Sequence, residues 1–154
     1  MIENRINEFV SENYEELIIE MKKLLLENTK IQFLLRNMEL AVLVKKRATN
    51  YPLEYIINKA SFYGEMFIVK EGVLIPRPET EILVENAVEI LKDIKQPIKV
   101  LEIGTGSGII SVILAMLIEN IKIIAVDINE KAIELAKQNA IKHGVENKIE
   151  FRLS

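Results

Sequence analysis

The chain has no cysteine, no tryptophan and one histidine among its 154 residues. Without cysteine there is no disulfide, no thiolate nucleophile and no cysteine-ligated metal. His143 alone cannot build the usual zinc sets, so no metal site is expected. Charge of one sign is lacking too. Twenty Lys and Arg face 23 Asp and Glu for a net charge of −3, which gives no general case for a nucleic-acid or membrane-surface binder and leaves only a local basic patch for either. The longest uncharged apolar run, Ile109 to Ile118, is about half of the roughly 20 residues a bilayer span requires. The opening Met1-Ile2-Glu3-Asn4-Arg5 is polar, with no signal-peptide core. A soluble cytoplasmic protein is the expectation.

What is present is ample apolar material, 49% of residues, in two patterns. Phe9, Leu17, Met21, Leu24 and Leu25 recur at helical spacing between Glu and Lys, predicting helix from residue 2. Asn28-Thr29 breaks it, and a second helix is predicted over roughly Ile31 to Arg47, with a cationic end, Lys45-Lys46-Arg47, suited to a helix's negative pole. That basic cluster is read as a solvated helix end in preference to a docking patch. Pro52 biases Tyr51 out of helical angles and marks a boundary. Residues 1–58 are therefore expected to form a small helical domain.

From Ala60 the pattern becomes extended. Phe62 to Val69 and Val73-Leu74-Ile75, separated by Lys70-Glu71-Gly72, predict a β-hairpin with a glycine turn, placed as a linker over 59–78. Pro78 opens a helix with Glu79 and Glu81 in its first turn and an apolar stripe of Leu83, Ala87 and Leu91, closed by Gln96-Pro97. Strand, helix, strand, helix, strand follow: Ile98–Ile103, Ser107 to about Glu119, Ile121–Val126, a helix capped by Asn129 that ends at Lys142-His143-Gly144, and the alternating Ile149, Phe151 and Leu153. His143 is read as a helix-terminal cation, not a catalyst. Right-handed crossovers give the strand order 3-2-1. The fold class is α/β, with residues 79–154 forming part of a doubly wound, Rossmann-like sheet.

Chemistry concentrates at Gly104-Thr105-Gly106-Ser107-Gly108. A ligand approaches backbone closely only where no Cβ intervenes, and the helix that follows aims unpaired N–H groups into the turn. Asp127 ends the next strand, where a carboxylate accepts from ribose hydroxyls. A dinucleotide fingerprint requires glycine at 109, where Ile109 stands. The spacing Glu102-x-Gly104-x-Gly106-x-Gly108 points to S-adenosylmethionine, with Gly104, Thr105, Gly106, Ser107, Gly108 and Asp127 as the cofactor-binding residues. A turn serving packing alone is the plain alternative, and the flanking strand, helix and acid weigh against it. Glu102 either orients the cofactor's amino group or caps the turn.

The chain resembles the class I S-adenosylmethionine methyltransferases that modify the glutamine side-chain amide of peptide chain release factors. Two blocks carry the likeness. One runs from Pro52-Leu53-Glu54-Tyr55-Ile56 through Phe62-Tyr63-Gly64 to Val73-Leu74-Ile75-Pro76-Arg77-Pro78-Glu79-Thr80-Glu81. The other comprises Val100 to Gly108, Val126-Asp127 and the helix ending Gln138-Asn139-Ala140. The first is specific to this family and its close relatives; the second is shared by class I methyltransferases generally. The resemblance implies a release factor as protein partner, a helical N-terminal domain that recognises it, and a Pro76–Glu81 loop that borders the active site, ordered by Arg77 or Glu79.

Two departures stand out. Asn58 lies where the family commonly has glycine, and nothing matches the family's Asn-Pro-Pro-Tyr motif, since Pro52, Pro76, Pro78 and Pro97 are never adjacent. In the family that motif holds the glutamine amide in near-attack geometry and lies beyond the position of Ser154, so no catalytic residue is assigned and the 154-residue chain alone is expected to be inactive. The strand at Val100–Ile103 is also expected to have one open ladder edge, making the isolated chain marginally stable, oligomeric or prone to aggregate. The other readings are a related methyltransferase acting on a ribosomal protein or nucleic acid, a non-catalytic cofactor-binding fragment and, more distantly, a nicotinamide dehydrogenase.

Overall fold

The computed structural model describes residues 29–154, which fall into two units: one up to Asn50, the other Tyr51–Ser154. In the first, helix α1 spans Thr29–Ala48 and carries Lys45, Lys46 and Arg47 in its last turn, within two residues of the predicted bounds. The helix predicted before it, with the break at Asn28, lies outside the described residues.

The second unit opens with a short helix, α2 (Leu53–Ile57), started by Pro52, whose fixed φ suits a helix entrance. Asn58 ends it in the left-handed conformation (φ 54°, ψ 31°). This explains the glycine expected there: the position demands positive φ, which Asn tolerates better than most residues.

Strands β1 (Lys59–Phe62) and β2 (Glu65–Ile68) pair antiparallel. This corrects the predicted hairpin. The turn is Tyr63-Gly64, not Lys70-Glu71-Gly72, because both its residues take positive φ (52° and 77°), as a two-residue turn matched to strand twist requires. Residues Lys70 to Gly72 make a second turn beyond the hairpin, closed by the Val73 N–H on the Lys70 carbonyl (3.2 Å).

Helix α3 (Glu79–Leu91) follows Pro78 as expected, with a different inner face. Val84 is fully buried, with Ala87, Val88 and Leu91 packed on the core, while Leu83 is 57% exposed. Val84, Ala87, Val88 and Leu91 fit the i, i+3, i+4, i+7 repeat, and that wider stripe prevails over a line through Leu83.

The parallel sheet runs β3 (Ile98–Ile103), β4 (Ile121–Asp127), β5 (Ile149–Leu153), with β4 central, matching the predicted order. Helices α4 (Ile109–Leu117) and α5 (Glu130–Lys142) make the crossovers. The core lies between them and the sheet: Ile98, Ile121, Ile123, Ala125 and Ile149 meet Val112, Ile113, Leu114, Ala115 and Ala140. On the opposite face of β3, Leu101 is 61% and Ile103 80% exposed. Strand β3 has no partner on its outer edge among the described residues.

Candidate functional site: the glycine turn above the sheet

The turn from β3 into α4 is fixed to the end of β4 by three hydrogen bonds. The N–H groups of Gly104 and Thr105 both donate to the Val126 carbonyl (2.8 and 3.0 Å). The Gly106 N–H donates to Asp127 Oδ2 at 2.8 Å, and the Asn129 N–H donates to Asp127 Oδ1 at 2.9 Å. Asp127 therefore points into the turn. Each of its oxygens has accepted one hydrogen bond, and a carboxylate offers about four acceptor sites, so capacity remains for two hydroxyl groups.

All three glycines have positive φ (76°, 57° and 79°), for different ends. A Cβ at Gly104 would meet nothing within 4 Å, so bare backbone faces open space. At Gly106 it would stand 4.0 Å from Val73 Cγ1. At Gly108 it would fall 2.8 Å from Ala136 Cβ and 3.0 Å from Ala136 Cα: here the missing side chain lets α4 and α5 approach. Of the six residues read from the sequence, Gly104, Gly106 and Asp127 come together at the turn. Thr105 and Ser107 are buried as whole residues, each 3% exposed, and Gly108 packs on α5. Gly108 starts α4 with no side-chain cap, leaving the first N–H groups of that helix directed toward the turn.

Glu102 sits beneath this surface. Its Oε2 accepts the hydroxyls of Thr105 (2.8 Å) and Ser111. Burial pushes its carboxyl above the usual range, against those two hydrogen bonds, and the nearby charge of Asp127 adds to the rise. In this arrangement Glu102 braces the turn.

The hairpin reaches the turn through residues for which no such bridging role was read from the sequence. Asn139 is fully buried on α5. Its Oδ1 accepts the Ile68 N–H (2.8 Å), and its Nδ2 donates to the carbonyls of Ile68 (3.0 Å) and Ser107 (2.9 Å). Asn129, besides capping α5 through the Lys131 N–H (3.0 Å), donates to the Gly72 carbonyl (3.0 Å). The Tyr55 hydroxyl donates to the Val73 carbonyl (2.8 Å). A polar residue among Ala132, Ala136 and Ala140 on the apolar stripe of a helix was the available signal for Asn139, since a buried amide must find partners.

Around the Pro76-Arg77-Pro78 loop lies a cleft of about 420 Å³ lined by Pro52, Glu54, Ser61, Arg77 and Glu81 among others. The loop is tied to the hairpin by Glu81, which accepts the Tyr63 N–H at 2.7 Å, while Arg77 and Glu79 are exposed. His143 keeps to the hairpin: its side chain is 7% exposed, its ring lies 4.7 Å from that of Phe67, and Nδ1 is 3.9 Å from Glu65, beyond hydrogen-bond reach. Among the described residues no group of three or more acidic or histidine side chains is arranged for a metal, and no helix is long and apolar enough to cross a membrane.

Known proteins bear on this geometry. A methyltransferase-domain family matches residues 94–154. The release factor glutamine methyltransferase of Dictyoglomus turgidum is 50% identical over 114 residues, 73% of this chain and 40% of that protein. The one from Fusobacterium nucleatum is 43% identical over 106 residues, 69% of this chain and 30% of that protein. The chain thus spans roughly a third of the length of the curated relatives it matches. A crystal structure of an S-adenosylmethionine-dependent methyltransferase from Agrobacterium tumefaciens aligns with a TM-score of 0.51 at 24% identity, covering 60% of this chain and 30% of that one, a likeness of fold. The chain is thus similar over about 70% of its own length to release factor glutamine methyltransferases, carries a methyltransferase domain over residues 94–154, and has the class I methyltransferase fold.

Proposed function

We propose that the chain binds S-adenosylmethionine at the turn formed by Gly104, Thr105, Gly106, Ser107 and Gly108, with Asp127 accepting the ribose hydroxyls. The activity this serves is methylation of the glutamine side-chain amide of a peptide chain release factor in the cytoplasm. The observation that carries the reading is the Gly106 N–H to Asp127 hydrogen bond beside the open backbone of Gly104. It holds a carboxylate and a side-chain-free surface together.

The cofactor supplies a methyl group made electrophilic by a sulfonium centre. The chain's own part is to seat and orient it. Backbone at Gly104 to Gly106 admits close approach, the first N–H groups of α4 favour a carboxylate there, and Asp127 fixes the nucleoside end. An amide nitrogen is a weak nucleophile and must be held at near-attack distance. No Asn-Pro-Pro-Tyr sequence is present in these 154 residues to do this.

Calorimetric titration with S-adenosylhomocysteine, with NAD as comparison, tests the seat. Binding of the homocysteine nucleoside alone is expected, and Asp127→Ala should weaken it by about tenfold or more, the worth of charge-assisted hydrogen bonds. Equal affinity of Asp127→Ala and the parent chain, or preference for NAD, overturns the reading. Radiolabelled methyl transfer to release factor, ribosomal protein and RNA tests the acceptor; turnover by the 154-residue chain contradicts the inactivity expected of it.

A further inference from the structure

We infer that Asn139 is a positioning residue that makes the hairpin and the glycine turn one mechanical body, so that cofactor binding and events at the hairpin are coupled. The inference rests on the cofactor reading above for its ligand, though not for its geometry.

The side-chain amide of Asn139 behaves as a peptide group of an added strand. Lys59 and Ile68 are paired across the hairpin, while the neighbouring Val69 N–H bonds back to the Asn58 carbonyl (3.2 Å). Antiparallel pairs alternate between facing and outward hydrogen-bonding groups, so the N–H and C=O of Ile68 point outward, where the amide of Asn139 takes both. The orientation of that amide is unambiguous, because reversing it would set donor against donor at Ile68. Its second N–H reaches the Ser107 carbonyl inside the glycine turn. One turn earlier on the same helix, Ala136 lies against Gly108.

The connection continues past Ile68. Val69 is fully buried and Val73 nearly so. Val73 packs with Ala132 and Leu135 of α5 and stands 4.0 Å from the Cβ position of Gly106. The Gly72 carbonyl is held by Asn129, whose own N–H is on Asp127. Segment 68–73 is therefore fastened to the turn at both ends, by Asn139 and by Asn129, and it leads into Ile75-Pro76-Arg77-Pro78. Displacing the turn breaks buried hydrogen bonds to the hairpin, and displacing the hairpin breaks those to the turn. Coupling of this kind is reciprocal.

Amide hydrogen exchange with mass spectrometry reads this directly. In the unaltered chain, saturation with S-adenosylhomocysteine should slow exchange in segment 66–73 as well as in 104–108. Protection confined to 104–108 overturns the inference. Without ligand, Asn139→Leu, which removes all three hydrogen bonds, and Asn139→Asp, which keeps only the acceptor for Ile68, should raise exchange in both segments together by about tenfold or more. Val112→Ala serves as a core control that lowers stability without touching the link. A rise spread evenly over the domain, as in that control, or confined to one segment, counts against the coupling. Both Asn139 variants should also lose about fivefold or more in S-adenosylhomocysteine affinity, and undiminished affinity overturns the proposal. If the unaltered chain does not bind the compound, the cofactor reading fails while the exchange arm without ligand still decides the coupling.

Discussion

Gly104 and Gly108 share a positive φ (76° and 79°) and differ in what surrounds them, so the same substitution should have different consequences at the two. At Gly108→Ala, the left-handed φ of 79° costs an alanine about 1–2 kcal/mol. The new Cβ also meets Ala136 Cβ at 2.8 Å and Cα at 3.0 Å. The backbone of α5 cannot rotate away, so an overpacking cost of about 1–3 kcal/mol is added. The total, about 2–5 kcal/mol, is a large part of the 5–15 kcal/mol that holds an ordinary domain together, and should lower Tm by roughly 10 °C or more. Gly104→Ala carries only the φ cost of about 1–2 kcal/mol, since its Cβ meets nothing within 4 Å. That Cβ instead stands where cofactor would lie, so affinity for S-adenosylhomocysteine should fall more than stability does. Thermal unfolding by circular dichroism and calorimetric titration on both variants make the comparison. Adding Ala136→Gly to Gly108→Ala should return about 1 kcal/mol or more beyond the sum of the single effects, because the two sites touch. Gly108→Ala unfolding within about 0.5 kcal/mol of the parent chain, or the two glycines behaving alike, would refute the division of labour within the turn.

The buried carboxyl of Glu102 gives a pH signature. Its folded-state value is raised chiefly by burial, so its contribution to stability is fully present below the ordinary glutamate range and is lost as pH rises through the raised value. Glu102→Gln keeps an acceptor for the Thr105 and Ser111 hydroxyls without the charge. Its stability relative to the parent should improve as pH climbs through that window in urea titrations, whereas a pH-independent offset would contradict the burial argument. Lys148→Met removes hydrogen bonds to the Ala115 and Ile118 carbonyls (2.8 and 3.0 Å) and should cost about 1–2 kcal/mol; an unchanged urea midpoint would show that solvent replaces the ammonium.

The elements carrying the site were legible because each has a local cause. Asn129 accepts from its own helix, the three glycines sit between a strand and a helix, and β4 ends at Asp127 where its apolar run stops. The hairpin was misread because the apolar residues on either side of Gly64-Glu65 run together as one extended stretch, and nothing in it announces that Tyr63 will accept a positive φ. What fixes it is remote: Glu81 on the Tyr63 N–H and Asn139 on Ile68, contacts 18 and 71 residues away in sequence. Leu83 was misplaced for a similar reason, since a single line of apolar residues at helical spacing does not reveal which of two adjacent lines the sheet will take. The openness of Leu101 and Ile103 is invisible to hydropathy, which reports what a strand prefers and not what stands in front of it.

Lys148 also ties together parts of the chain that are far apart in sequence. The last carbonyls of α4 find their donor on a residue 30 and 33 positions downstream, in the short 3₁₀ turn at Glu146–Lys148 that delivers β5 to the sheet. Without that lead-in the two carbonyls lose this donor, and without the helix end the ammonium of Lys148 loses both acceptors. Helix end and strand lead-in are thereby tied to one another, so that loosening either leaves the other's polar groups without their partner.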